Sequence, residues 1–164
     1  MTEQPFTHLD AAGHARMVDV TEKTPTVRSA TAAGVVRCSP HVVEALRAGA
    51  VPKGDVLAVA RVAGIAGAKR TAELLPLAHV IGVHGATVDL EVTDDGVQVT
   101  ATVRTADRTG VEMEALTAVS VAGLAVLDMV KGLDKATSLT DVRLLAKSGG
   151  RSGEWRRDEP DARP

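Results

Sequence analysis

The stretch TGVEMEALTAVSVAGLAVLDMVKGLDK, Thr109 to Lys135, decides how the rest of the chain is arranged. From Ala115 to Leu127 it is apolar or small almost without interruption, the pattern of a helix buried on most sides. Its two ends are charged, with Glu112 and Glu114 at the start and Asp128 and Lys131 at the close. Glu114 and Asp128 differ by only about 40° around the axis, yet they lie about 21 Å apart along it. One small ligand cannot reach both on a straight helix. If all these groups serve one site, a neighbouring chain must bring the far end round.

Each charged residue also has a plain structural reading. Thr109-Gly-Val-Glu112 has the spacing of a capping box, in which the two side chains satisfy free N–H groups at the helix start. Glu114 is favoured by the helix dipole in the first turn but sits among apolar residues. Asp128 and Lys131, at i and i+3, suit an intrahelical ion pair contributing only about 0.2–0.5 kcal/mol when exposed.

Outward from this helix, TVDLEV and VQVTATV alternate apolar and polar residues around Thr93-Asp94-Asp95-Gly96, a hairpin signal because Asp-Gly suits a turn with positive φ. Upstream, ARMVDVT (15–21) and TVRSATAAGVVRCS (26–39) read as strands. A short helix opens at Ser39-Pro40 and ends near Gly49. A second helix runs from near Asp55 to Pro76, roughly 20 residues or about 30 Å. Its ends carry Lys53 and His79, with Arg61, Lys69 and Arg70 along it; each is a solvated or capping residue on the plain reading. LTDVRLLAK (139–147) reads as a last strand. The order predicts an α+β fold, helices covering one face of a mainly antiparallel sheet, in one domain over 1–153 with a flexible charged tail at 154–164.

Composition narrows the function classes. A formal charge of −2 and only two aromatics, Phe6 and Trp155, argue against a nucleic-acid surface. The single cysteine, Cys38, rules out an internal disulfide framework and fits a reducing, cytoplasmic compartment; it reads as a small core residue. The opening MTEQPFTHLD lacks the basic and apolar regions of a signal peptide, and the apolar runs read as too interrupted to span a membrane. A core of Val, Leu, Ile and Ala buries little area per residue, which favours an oligomer. Phosphate-loop, dinucleotide, zinc-protease, CxxC and nucleophile-elbow patterns are absent from the chain. His8, His14 and His41 read as surface or strand residues, and His79 with His84 lack a third metal ligand. Lys147-Ser-Gly-Gly-Arg151-Ser-Gly153 can turn backbone N–H groups toward an anion, or can be a flexible exit to the tail.

Four blocks, THLDAAGHARMVDVTEKTPTVRSATA, KGDVLAVARVAGIAGAKRTAELLPLAH, the opening stretch and LTDVRLLAKSGGRSG, closely resemble the cyclic pyranopterin monophosphate synthase family of molybdenum cofactor biosynthesis. The resemblance runs in order from about Thr7 to Gly153, and its GVEMEALTA and KSGG blocks are specific to that family. It implies a ferredoxin-like fold, a homohexamer built as a trimer of dimers, and active sites at dimer interfaces. It implies a lyase that converts 3′,8-cyclo-7,8-dihydroguanosine triphosphate, made from GTP by a radical SAM cyclase, into cyclic pyranopterin monophosphate and pyrophosphate. No resident cofactor and no metal site are implied, with magnesium an optional companion of the triphosphate.

By motif position Asp128, Lys131 and Lys53 are the catalytic candidates. Leu77, Ala78, His79, Glu112, Met113 and Glu114 are the substrate contacts, with Lys69 and Lys147 as further phosphate contacts. The chain departs from the family in reading Ala78-His79-Val80 for Cys-His-Pro, and Leu127 where an aromatic precedes Asp-Met. These departures raise an alternative, a nucleotide- or pterin-binding paralogue that co-assembles with an active relative.

Overall fold

The computed structural model describes residues 9–158 apart from residue 11; Phe6, His8 and the tail from 159 onward lie outside the described residues. Among them are β1 (Thr26–Arg37), α1 (Pro40–Arg47), α2 (Val56–Ala68), α3 (Thr71–Leu74), β2 (Gly85–Thr93), β3 (Gly96–Asp107), α4 (Glu112–Val130), β4 (Ser138–Ser148) and β5 (Trp155–Arg156). The sheet order is β2-β3-β1-β4-β5, with every neighbouring pair antiparallel. The first four strands, with a helical crossover after β1 and another after β3, make the split β-α-β arrangement of a ferredoxin-like fold.

The core lies between α4, α2 and one face of this sheet. Alternate residues of β3, namely Val97, Val99, Ala101 and Val103, are sealed beneath the helices, as are Ala30, Ala32 and Val36 of β1. A fully buried valine contributes about 1.5–3 kcal/mol, so many modest side chains build this core, which holds no aromatic among the described residues. Small residues set the helix spacing: a Cβ on Gly64 would lie 2.9 Å from the Ala118 carbonyl oxygen and 3.1 Å from the Ala122 Cβ. By length and composition α4 could cross a membrane, but half of its apolar window is buried against the sheet and α2.

Three local expectations change. The alternation in residues 15–21 is real, but only Ala15 pairs, with Leu9, and no strand forms. Val18 and Val20 are partly buried because they pack on a cleft beside the sheet rather than within it. The second long helix stops at Ala68 and resumes as α3, the buried Thr71 hydroxyl donating to the Ala68 carbonyl at 3.1 Å. α2 is thus about 20 Å long rather than about 30 Å.

The hairpin closes through Asp94-Asp95, with Gly96 already paired to Thr93 as the first residue of β3. Gly96 is required by close approach, since a Cβ there would collide with the Val36 carbonyl. Finally, Trp155–Arg156, expected within a loose tail, pairs with Ala146 and Lys147 as β5.

Candidate active site

α4 carries a charged group at each end, and both ends are built. At its C-terminus Asp128 stands between two lysines: Lys131 Nζ is 2.7 Å from Oδ1 and Lys53 Nζ is 3.1 Å from Oδ2. Lys53 Nζ also donates to the Asp128 carbonyl at 2.6 Å. That carbonyl belongs to the last turn of α4, so Lys53 caps the negative end of the helix dipole as well as pairing with the carboxylate. Lys53 reaches there because Asp55, three residues before Ala58, accepts its N–H at 3.0 Å and fixes the start of α2. The hydrogen bond from Lys131, then that from Lys53, holds the Asp128 carboxyl below its ordinary range. The group is exposed and ionised at neutral pH, with two ammonium protons already directed at it.

At the N-terminus of α4 the arrangement is different. The helix begins at Glu112, with Val111 as N-cap and no side-chain cap, so the capping-box reading of Thr109 and Glu112 fails. Glu112 instead folds back over Gly110, whose missing side chain leaves room for the carboxylate. Glu114 is 4 % exposed. Burial, and then the neighbouring Glu112, push its carboxyl above the usual range. A hydrogen bond from its own backbone N–H offsets part of that rise, and no other described residue bonds the carboxyl oxygens. The opening they reach is a cleft of about 540 Å³, a size suited to a small organic ligand.

That cleft gathers Leu77, Ala78, His79, Glu112, Met113 and Glu114, so six of the substrate contacts expected from the sequence converge. His79 Nε2 donates to the Val18 carbonyl at 2.6 Å, which leaves Nδ1 for another partner. Val80, the residue that replaces a proline, is 91 % exposed, and His79 is held by the Val18 carbonyl. Lys69, at the C-cap of α2, is not among the lining residues. Lys147 lines a separate groove on the open sheet face with Arg143, Arg156 and Arg157, and donates to the Ser152 hydroxyl.

Sequence reasoning marked Arg151, in the anion-suited Gly-rich turn, but missed the cleft's other cations. Lys23, Arg28, Arg108 and Arg151 all line it, and none has a carboxylate within ion-pair distance among the described residues. Arg28 Nε donates to the Asp107 carbonyl at 3.0 Å and Arg108 Nε to the Lys23 carbonyl at 2.9 Å. Both guanidinium groups are held by one edge, and four cations outside any close ion pair share the opening with Glu112 and Glu114. Arg108 directly precedes the Thr109 block; Arg28 and Lys23 are brought in from β1 and the N-terminal segment, and Arg151 from the loop after β4.

The catalytic candidates Asp128, Lys131 and Lys53 are absent from this cleft. α4 is continuous from Glu112 to Val130, so they stand about 21 Å from Glu114 along its axis. His84, meanwhile, accepts from the Ala106 N–H and shares nothing with His79.

Comparison with known proteins follows the same residues. The MoaC family model matches residues 17–150. A Streptomyces griseus subsp. griseus protein, cyclic pyranopterin monophosphate synthase, is 60 % identical over 160 residues, 98 % of this chain and 90 % of its own length. The Streptomyces coelicolor protein of that name is 62 % identical over 93 % of this chain and 89 % of its own. Mycobacterium bovis cyclic pyranopterin monophosphate synthase 2 is 54 % identical over 93 % of this chain and 91 % of its own.

Proposed function

The chain belongs to the MoaC family, and from that premise we propose that it makes cyclic pyranopterin monophosphate for molybdenum cofactor biosynthesis. The substrate is 3′,8-cyclo-7,8-dihydroguanosine triphosphate, supplied from GTP by a radical SAM cyclase, and pyrophosphate is released. The cleft chemistry supports this reading. Four unpaired cations suit a polyphosphate, and the buried carboxyl of Glu114 suits the N–H edge of a guanine-derived ring.

The observation that carries the mechanism is the separation of recognition from acid/base groups on α4. A second copy of the chain, related by a two-fold axis, delivers its Asp128, Lys131 and Lys53 to the cleft of the first. Val59 and Val62 on α2 and Leu124 on α4 are exposed apolar residues on the helical layer and suit such an interface. In the shared site Asp128 receives protons as the purine-derived ring opens and closes, while Lys131 and Lys53 donate them and stabilise the departing pyrophosphate. His79, with Nδ1 free, orients a phosphate-linked hydroxyl. The assembly is a hexamer of three such dimers, working in the cytoplasm, and no resident cofactor is invoked for these proton transfers.

The paralogue reading rested on the loop Ala78-His79-Val80. Val80 faces solvent and His79 is fixed by Val18, so its motive is removed. The test is complementation. Glu114→Gln and Asp128→Asn are each inactive alone; a mixture refolded together regains activity, because mixed dimers contain one intact site. Failure to regain activity, with mixed dimers present, places both groups in one chain's site and overturns the shared arrangement.

A further inference from the structure

The segment after β4 is more ordered than its composition suggests. Gly149, Gly150 and Gly153 all have positive φ, at +89°, +72° and +63°, and reverse the chain so that Trp155–Arg156 lies back on β4. Two of these glycines also touch β1. A Cβ on Gly149 would collide with the Val27 carbonyl, and one on Gly150 with the Arg28 guanidinium. Arg151 and Ser152, at the tip of this turn, line the cleft beside Arg28 and Lys23.

The turn is clamped from outside. The Arg157 N–H donates to the Leu145 carbonyl at 2.8 Å, and Arg157 Nε donates to the Leu144 carbonyl at 2.7 Å. Its guanidinium carbon stands 5.6 Å from the centre of the Trp155 ring, within cation–π range. Lys147 donates to the Ser152 hydroxyl from the strand below. Without these ties a Gly-rich loop would sample many conformations, and ordering it on a ligand would cost binding energy.

We propose that the β4–β5 hairpin is a preorganised wall of the cleft: Arg151 determines affinity for the polyphosphate, and Arg157, stacked on Trp155, is a positioning residue acting through it. The proposal rests on the reading of the cleft as a polyphosphate site, and it assigns a task to the charged segment beyond the Gly-rich turn. Trp155 is the single tryptophan of the chain, so its fluorescence reports this hairpin alone.

The experiment titrates the full-length protein with inorganic tripolyphosphate while following Trp155 emission, and measures KM and kcat with the cyclic triphosphate. The wild type shows a saturable change in emission. Arg151→Ala weakens tripolyphosphate about tenfold, the loss expected for one charge-assisted contact. Arg157→Ala weakens it to a similar extent and raises KM with kcat held within about twofold. The double variant binds no more weakly than Arg151→Ala, since both changes remove the same contact.

Unchanged affinity in Arg151→Ala, or losses that multiply in the double variant, overturn the proposal. A chain that binds tripolyphosphate in this pattern yet makes no pterin keeps the hairpin's role and loses the proposed reaction. Turnover with a silent Arg157→Ala does the reverse.

Discussion

Replacing Glu114 by Gln should make the protein more stable and less active. The side chain is 4 % exposed, so ionisation there is opposed first by burial and then by the Glu112 charge, with a hydrogen bond from its own backbone N–H offsetting part of this. Gln keeps the shape while removing the charge, so the opposed ionisation is lost with it. For a chain of this size each kcal/mol of relief moves Tm by about 2–4 °C, so Glu114→Gln should melt measurably higher than the wild type at neutral pH.

The pH dependence follows from the sign of the shift. The folded carboxyl titrates above its ordinary value of 4.5, so the wild type is free of the penalty below that pH and loses stability as pH rises through the folded value. The advantage of Glu114→Gln is therefore present at about pH 8 and absent at about pH 4. Thermal melts followed by circular dichroism at fixed protein concentration read both ends of this window. A Gln variant less stable than wild type at neutral pH, or an advantage independent of pH, would refute the account of Glu114 as a strained, ligand-facing carboxyl.

The helix contact makes a paired prediction. Gly64→Ala gains about 1 kcal/mol in helix propensity but forces α2 off α4, a cost of about 1–3 kcal/mol, so denaturant melts should show it neutral to destabilised. Gly132→Ala, with nothing within 4 Å of the added carbon, should instead be stabilised by about 0.4–1 kcal/mol. Asp55→Ala removes the cap on α2 and should cost about 1 kcal/mol in the same melts. Lys53→Met should raise the Asp128 carboxyl toward 3.8 in an NMR titration; the lysines' contribution is present above that value and lost as pH falls through the lower folded one.

The parts of the fold written in local periodicity were legible. The apolar run of α4, the alternation of β2 and β3, and Ser39-Pro40 at the start of α1 all led to the observed elements. What failed depended on partners distant in sequence. Residues 15–21 alternate like a strand, yet what makes Val18 and Val20 half-buried is the cleft, and a period of two does not say which surface it faces. The break after Ala68 turns on one hydroxyl, Thr71, bonding back to the helix end, where propensity alone would have continued the helix.

The candidate site divides in the same way. Carboxylates on α4 stand out because an apolar background makes them conspicuous. Arg151 stood out in its Gly-rich turn, but Lys23 and Arg28 are ordinary surface charges in sequence, and only the packing of three separate segments reveals that all three share an opening. Lys69 and Lys147, expected as phosphate contacts because of their charge, lie outside this chain's cleft, as Asp128, Lys131 and Lys53 do.

The most direct measurement is turnover by the purified protein given the cyclic dihydroguanosine triphosphate, with pterin and pyrophosphate detected and Asp128→Asn run beside it. The account predicts both products from the wild type. It predicts a loss of about 10²–10⁴ in kcat for the variant, the range of a displaced acid/base group, with substrate still bound. Binding without product in the wild type, or a variant as fast as the wild type, would contradict it.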